Sequence, residues 1–275
     1  MDSLKFSVSM CVYGKDNPIH FKEAVDSIFN QTLPPDEVVL VVDGPVPLEL
    51  DAVISEFEAR EEFNIIRLAE NQGHGNARRI GLDNCKNDLV AIMDADDISL
   101  PDRFKKQIAF FNHNANVAIV GGNITEFVGT PDNVIGQRIV PSGDKDIKEY
   151  LKTRCPMNLV TVMFKRNEIE KVGGFIDWYC EEDYYLWIRM ALAGMVFANV
   201  DDVLVNVRVG EEMYSRRGGW KYFKSEARLQ KWMLDKKVIG FGTYLTNVVK
   251  RLIVQVLLPN SIRGWVFKKF ARKSA

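Results

Sequence analysis

From residue 6 to residue 113 the chain alternates short, almost wholly apolar runs with segments whose apolar residues recur at helical spacing. Residues 6–12 are apolar and β-prone and end at Tyr13-Gly14. Phe21, Ala24, Val25, Ile28 and Phe29 then follow a helical period, with Pro18 placed for the first turn, where a missing N–H costs nothing. Residues 37–42 form a second apolar run closed by Asp43-Gly44-Pro45. A helix is expected around residues 48–60 and a third strand over 63–68. Residues 89–93 are a fourth apolar run; they end in Asp94, Asp96 and Asp97, and Leu100-Pro101 opens a helix reaching about residue 113. Apolar strands alternating with helices predict an α/β fold with a parallel sheet covered on both faces. Ligands of such sheets bind beyond the carboxyl ends of the strands, so the polar residues after each strand are the ones to inspect.

The pattern changes after residue 113. Residues 117–120, 123–128 and 134–140 are short β-prone runs separated by Gly, Pro and Asn, which predicts a mixed, partly antiparallel region. A short helix is expected over 144–153, a strand over 158–165 and a helix over 166–172, closed by Gly173-Gly174. Tyr184, Trp187, Ile188, Ala191 and Leu192 follow helical spacing, with Glu181, Glu182 and Asp183 at or just before the first turn. Residues 195–200 and 203–207 read as short strands. Residues 208–219 read as a polar, glycine-containing loop with three arginines, placed to close over a bound nucleotide. From residue 220 the chain reads as mainly helical, and Tyr244, Val248, Leu252, Val256 and Leu257 share one face. After a break at Pro259, the apolar Ile262, Trp265, Val266, Phe267 and Phe270 alternate with Arg263, Lys268, Lys269, Arg272 and Lys273.

Composition adds an asymmetry. Of 275 residues 47% are hydrophobic and 27% charged, as in an ordinary globular protein, and the net charge is −1. From Lys236 onward, however, there are nine Lys/Arg and no Asp or Glu, so the first 235 residues carry 27 basic and 37 acidic side chains. A basic amphipathic end with Trp and Phe predicts contact with an anionic membrane surface. A nucleic-acid arm is the weaker reading, because the rest of the chain is acidic. No secretory signal opens the sequence and no run reaches the roughly 18 to 20 apolar residues of a membrane span. The four cysteines form no C-x-x-C pair, and the three histidines make no metal-ligand spacing. The expectation is a cytoplasmic protein, peripheral on the inner face of the membrane.

Several strand-end residues carry candidate chemistry. Asp94 and Asp96 lie too close to coexist comfortably without a cation, and a hard divalent ion held by one or two carboxylates plus substrate phosphates suits them. A solvated acidic loop is the alternative. Gly73 and Gly75 allow close backbone approach, and Arg78 and Arg79 in the first turns of the next helix suit a phosphate. Arg78 could instead pair with a nearby carboxylate. A dinucleotide fingerprint fails because position 78 is Arg, and a calcium loop fails because Ile98 holds a ligand position. The acids 181–183 could cap a helix; three in a row amid aromatics also suit a general base.

Taken in order, these motifs resemble those of the family-2 glycosyltransferases over roughly residues 6–208. The resemblance rests on the opening strand through Val12 and Tyr13, on Val41-Val-Asp43, and on Asn71-x-Gly73-x-x-x-Ala77-Arg78. It rests also on Asp94-Ala95-Asp96 followed by Pro101-x-Arg103, and on Glu182-Asp183-Tyr-x-Leu-Trp187. It implies a GT-A (Rossmann-like) fold, a mixed and mainly parallel sheet flanked by helices, with a C-terminal amphipathic helical tail. Residues 1–219 would form the catalytic domain, with a nucleotide-sugar half of about 1–100 and an acceptor half of about 101–219; residues 220–275 would form the basic helical region. Activity would be transfer of a sugar, with inversion, from a nucleotide-diphosphate sugar, a UDP-sugar being favoured. The acceptor would be a lipid-linked oligosaccharide of cell-surface polysaccharide synthesis. The resemblance assigns donor binding to Val12, Tyr13, Asp43, Asn71, Arg78, Asp94 and Ala95, Mn²⁺ or Mg²⁺ to Asp96 and Asp94, and the base to Asp183 with Glu182 in reserve. Two features depart from the pattern: Asp43-Gly44-Pro45 lacks the second Asp that is common there, and Arg79 stands where Asn is common. A sugar-nucleotide nucleotidyltransferase and a non-catalytic glycan- or lipid-binding adaptor are the alternatives.

Overall fold

The computed structural model describes residues 4–210 and 218–258. The predicted alternation is present: β1 (Phe6–Tyr13), α1 (Pro18–Phe29), β2 (Glu37–Asp43), α2 (Leu48–Ser55), β3 (Phe63–Arg67), α3 (His74–Asp83) and β4 (Leu89–Met93). These are followed by β5 (Ile98–Ser99), α4 (Arg103–His113), β6 (Val117–Phe127), β7 (Val134–Arg138), α5 (Asp144–Leu151), β8 (Met163–Lys165) and α6 (Arg166–Lys171). Last come α7 (Glu182–Leu192), β9 (Val196–Arg208), α8 (Trp220–Asp235) and α9 (Phe241–Leu252). Asn17 caps α1, its Oδ1 accepting from the Ile19 and His20 amides.

The strands described form one sheet in the order β3-β2-β1-β4-β8-β6-β9-β5, with β7 on β6. β3, β2, β1 and β4 run parallel, as do β6 and β9, while β8 enters antiparallel between β4 and β6. This is the mixed, mainly parallel α/β sheet expected. Its two faces carry separate cores: Val8, Met10, Val38 and Leu40 pack on one side with α1, α2 and α4. Val39, Val90 and Ile92 pack on the other with Phe164, Trp187 and Ile188.

The second half departs from expectation in three places. β6 is one buried strand, although glycines were expected to break it. A Cβ on Gly121 would meet Asn199 Oδ1 at 2.5 Å, and one on Gly122 would meet Leu204 Cδ1 at 2.6 Å, so these glycines admit β9 rather than start a turn. β9 likewise runs unbroken, with Asp201 and Asp202 taken up in a register shift opposite Gly122 and Asn123. The strand expected over 158–165 is reduced to β8. Thr161 Oγ1 donates to Asn158 O at 2.7 Å and accepts from Gly122 N at 3.1 Å, holding Leu159–Thr161 as a 3₁₀ turn.

Residues 220–258 pack on the body. Asn247 Nδ2 donates to Lys152 O at 2.9 Å and to Gln230 Oε1 at 2.8 Å. Arg251 Nε pairs with Glu226 at 3.2 Å. α9 ends in a π-helical turn, Ile253–Leu257, and Leu257 points outward instead of sharing the packed face. No helix among the described residues is long and apolar enough to cross a membrane.

Candidate active site

The carboxyl ends of β1, β2 and β4 lie side by side, since Tyr13 is the parallel partner of Asp43 and Met10 that of Met93. They open onto a cavity of about 110 Å³ lined by Cys11, Val12, Tyr13, Asp43, Asn71, Gly73, His74 and Ala77. Asp43 is buried, and its carboxylate clasps the loop before α3: Oδ1 accepts from Gln72 N at 2.7 Å and Oδ2 from Gly73 N at 3.1 Å. Asn71 Nδ2 closes the clasp by donating to Asp43 O at 3.1 Å. Each carboxylate oxygen retains a lone pair for a further donor. Gly44 has φ +86°, and a Cβ there would stand 2.6 Å from Asn71 N, so the close approach of the 71–73 loop requires glycine at this position.

Arg78 lies one turn into α3. It pairs with carboxylates, as the simpler reading had it, but with distant ones: Nη1 donates to Glu182 at 2.5 Å and Nη2 to Asp94 at 3.1 Å. Burial opposes its charge, and Asp94 and Glu182 more than offset burial, so its pKa is raised. One side chain therefore joins the third, fourth and fifth motifs. Gly75 permits this, because a Cβ there would meet Asp177 Cα at 2.8 Å and push the segment leading to α7 away.

Two arginines shape the acidic turn after β4. Arg103 is buried beneath it, donating to Ile92 O at 2.7 Å and Gln107 Oε1 at 3.3 Å; burial lowers its pKa to about 9. Arg208 holds the outside. Its backbone N donates to Asp97 Oδ1 at 2.8 Å, its Nε to Asp96 O at 3.0 Å and its Nη2 to Glu23 at 2.5 Å. Asp97 is thus a buried anchor, and burial first, then Asp96 and Asp94, push its carboxyl well above the usual range. Asp96 is exposed and Asp94 partly so. These are hard oxygen donors suited to Mg²⁺ or Mn²⁺. No group of three or more ligating side chains occurs among the described residues, so an ion here would take its remaining ligands from substrate oxygens and water. The donor set fits such an ion.

The acid cluster before α7 divides in three. Glu181 is buried and faces Glu226 and Arg251; burial and Glu226 push it well above the usual range. Glu182 is held by Arg78. Asp183 is partly buried, its Oδ2 accepting from Cys155 Sγ at 3.7 Å. Burial, then the charge of Glu182, push Asp183 up to about 6. The Cys155 thiol is itself pushed well above its ordinary value by burial, which keeps it a neutral donor. Arg138 donates to Cys155 O at 2.6 Å and its charge favours ionised Asp183.

The structure therefore gathers all the predicted residues along one rim. Val12, Tyr13, Asp43 and Asn71 line the cavity; Arg78, Asp94 and Glu182 form a cluster; Ala95 and Asp96 lie on the turn and Asp183 beside Cys155. Sequence reasoning passed over Cys11 and His74 in the cavity wall, and Cys155 and Arg138 beside Asp183. None carries a motif; only the position of Cys11 in the first strand and of His74 between two glycines was available as a signal. Residues 211–217, the core of the expected closing loop, and the basic residues from Arg263 onward lie outside the described residues.

Residues 7–173 match the family described as Glycosyl transferase family 2. The chain is 38% identical over 272 residues to the Escherichia coli UDP-Gal:alpha-D-GlcNAc-diphosphoundecaprenol beta-1,3-galactosyltransferase, covering 99% of this chain and 98% of that protein. It is 36% identical over 270 residues to the amylovoran biosynthesis glycosyltransferase AmsE of Erwinia amylovora, covering 96% and 98%. Among solved structures it resembles S. aureus TarS in complex with UDP-GlcNAc, with TM-score 0.65 and 17% identity over 91% of this chain and 73% of that one. The mannosyltransferase PcManGT of Pyrobaculum calidifontis in complex with GDP-Man and Mn²⁺ gives TM-score 0.63 at 17% identity, over 97% and 75%. Motif order, sheet topology and these likenesses agree: the chain belongs to glycosyl transferase family 2 and has the GT-A fold.

Proposed function

We propose that this glycosyltransferase moves a hexose from a UDP-sugar to a hydroxyl of a lipid-diphosphate-linked saccharide, with inversion at the anomeric carbon, in cell-surface polysaccharide synthesis. Galactose is the first sugar to test, because the E. coli relative is named for its transfer. The observation that carries the reading is the Arg78 bridge, which unites the donor loop, the acidic turn and the helix bearing the base.

The uracil and ribose occupy the cavity bounded by Val12, Tyr13, Asp43 and Asn71, with Asp43 accepting from the base while clasping the loop. Asp94 and Ala95 border the ribose and diphosphate. Arg78 supplies positive charge on the phosphate side while fixing Asp94 and Glu182. Asp96, with Asp94 beside it, holds Mn²⁺ or Mg²⁺, which when bound offsets the charge on the leaving nucleoside diphosphate. Asp183 takes the proton of the acceptor hydroxyl. Glu182 is poorly placed for that task, since its carboxylate is engaged by Arg78. Residues 1–219 act as the catalytic domain, with the donor half to about residue 100 and the acceptor half from 101. The basic region 220–275 keeps the enzyme peripheral on an anionic membrane surface.

The test is a donor panel of UDP-, GDP- and dTDP-sugars with a GlcNAc-diphosphate-lipid acceptor and Mg²⁺ or Mn²⁺, read as released nucleoside diphosphate. Acceptor-dependent UDP release is expected. Formation of a sugar nucleotide from a sugar phosphate, or no turnover with any donor, would overturn the proposal.

A further inference from the structure

Along α9 and its terminal π turn, Phe241, Leu245, Val249, Ile253 and Leu257 recur every four residues and are 68, 50, 43, 44 and 64% exposed. At 1.5 Å per residue the row runs about 24 Å. An ordinary surface helix turns its polar face outward; here the polar Asn247 and Gln255 are buried and the apolar row faces out. The helix cannot roll to hide that row, because Asn247 is bonded to Lys152 O and Gln230, and Gln255 to Glu226.

The surroundings say what covers it. Gly219 N donates to Gln255 O at 2.8 Å, which sets Trp220, 59% exposed, at the end of the row. Lys221 and Lys224, one and four residues along α8 from Trp220, and Lys250, next to Val249 on α9, are exposed. Between residues 218 and 258 there are eight Lys/Arg and two acids, and both acids are paired, Glu226 with Arg251 and Asp235 with Lys231. The sequence that continues the row is basic and aromatic, with Trp265, Phe267 and Phe270 among five Lys/Arg. A second copy meeting this face would oppose cations to cations. Anionic lipid satisfies both the apolar row and its basic margin.

We propose that the outward face of α9, from Phe241 to Leu257, is the surface that docks on an anionic bilayer, with Trp220 at the headgroup level. Its purpose rests on the lipid-linked acceptor reading. The docking helix pair is also tied to the base. Trp178 Nε1 donates to Ser225 O at 3.4 Å, Ser225 Oγ donates to Tyr179 O at 2.6 Å, and the Arg228 guanidinium lies 4.6 Å from the Trp178 ring centroid. A bilayer under α9 therefore holds the segment leading to Asp183 at a set orientation.

The experiment uses the full chain and a Leu245→Ser, Val249→Ser, Ile253→Ser variant, co-sedimented with phosphatidylcholine vesicles containing or lacking phosphatidylglycerol. All three side chains are exposed, so the thermal melt should be unchanged. Binding to anionic vesicles should fall at least ten-fold with the basic segment after residue 258 intact, and Lys221→Glu with Lys250→Glu should lower it too. Undiminished binding in the triple variant overturns the proposal, as does a shift from dimer to monomer by light scattering with vesicle binding unchanged. Transfer to a water-soluble acceptor, measured on the same samples, reports on the transferase reading alone. A wild type that binds vesicles but transfers to nothing would refute that reading and leave docking standing.

Discussion

Arg78 Nη1 lies 2.5 Å from Glu182 Oε1, a contact that spans 104 positions of sequence. It fastens the helix after β3 to the helix bearing the proposed base, and the same guanidinium reaches Asp94. Arg78→Met leaves Glu182 buried without its partner, and breaking a buried pair from one side costs on the order of 3 kcal/mol. Urea denaturation should show that loss, and UDP release should fall with it. Glu182→Gln keeps a hydrogen bond to Arg78 and should cost less on both measures.

Asp183 must be ionised to accept a proton. Its folded pKa of about 6 lies above the ordinary aspartate value, so the rate should fall as pH drops through 6 rather than through the usual carboxylate range. Asp183→Asn should reduce turnover by about 10²–10⁴ while leaving UDP binding near wild type in calorimetry. The stability effect has the opposite sense to that of a salt-bridged acid. A raised folded pKa means the fold disfavours the charge, a penalty absent below the unfolded pKa and complete above pH 6. Asp183→Asn should therefore raise the melting temperature at pH 8 more than at pH 4.

Gly44 makes a specific backbone prediction. With φ +86° and Asn71 N only 2.6 Å from any Cβ, Gly44→Ala must displace the 71–73 loop that Asp43 clasps. A destabilisation of about 1–3 kcal/mol is expected. UDP affinity should weaken further, because the displaced loop lines the cavity. Both are read from one series of calorimetric and melting experiments.

Asp96 and Arg208 should separate ligation from positioning. Asp96→Ala should abolish the Mn²⁺ dependence of UDP binding. Arg208→Gln leaves the carboxylates in place but loosens the turn that Arg208 holds through Asp96 O and Glu23. It should raise the Mn²⁺ concentration needed for half-maximal UDP binding while preserving saturable dependence.

Arg251 faces Glu226 and offsets the charge of buried Glu181. Arg251→Met removes that offset, so melting temperature should drop most at high pH, where the raised Glu181 carboxyl is ionised. Intact melting at pH 8 would contradict this assignment.

Much of the candidate site was legible without coordinates because the first half of the chain is built from local units. Each strand of the 3-2-1-4 sheet is a contiguous apolar run, and the residue that follows it emerges at the carboxyl edge. Asp43, Asn71, Asp94 and Asp96 could thus be placed from strand ends alone. The second half resisted because its strands depend on each other. Gly121-Gly122 looks like a break until β9 is seen packed against it, and Asn158 and Thr161 turn an apparent strand into a 3₁₀ turn by bonding to β6.

What the sequence by itself determined was the alternating α/β body, the order of the motifs, and the acids and arginine that make up the candidate site. Periodicity and turn chemistry act within a few residues, so they survive being read in one dimension. Tertiary structure alone decided which charges meet. It assigned Arg78 to Glu182 and Asp94, gave Asp97 to the Arg208 backbone, and left Asp183 beside a neutral thiol with a raised pKa. It also decided which face of α9 looks outward. Helical spacing marks several apolar rows on that helix, and only the bonds of Asn247 and Gln255 to the body select the one left exposed.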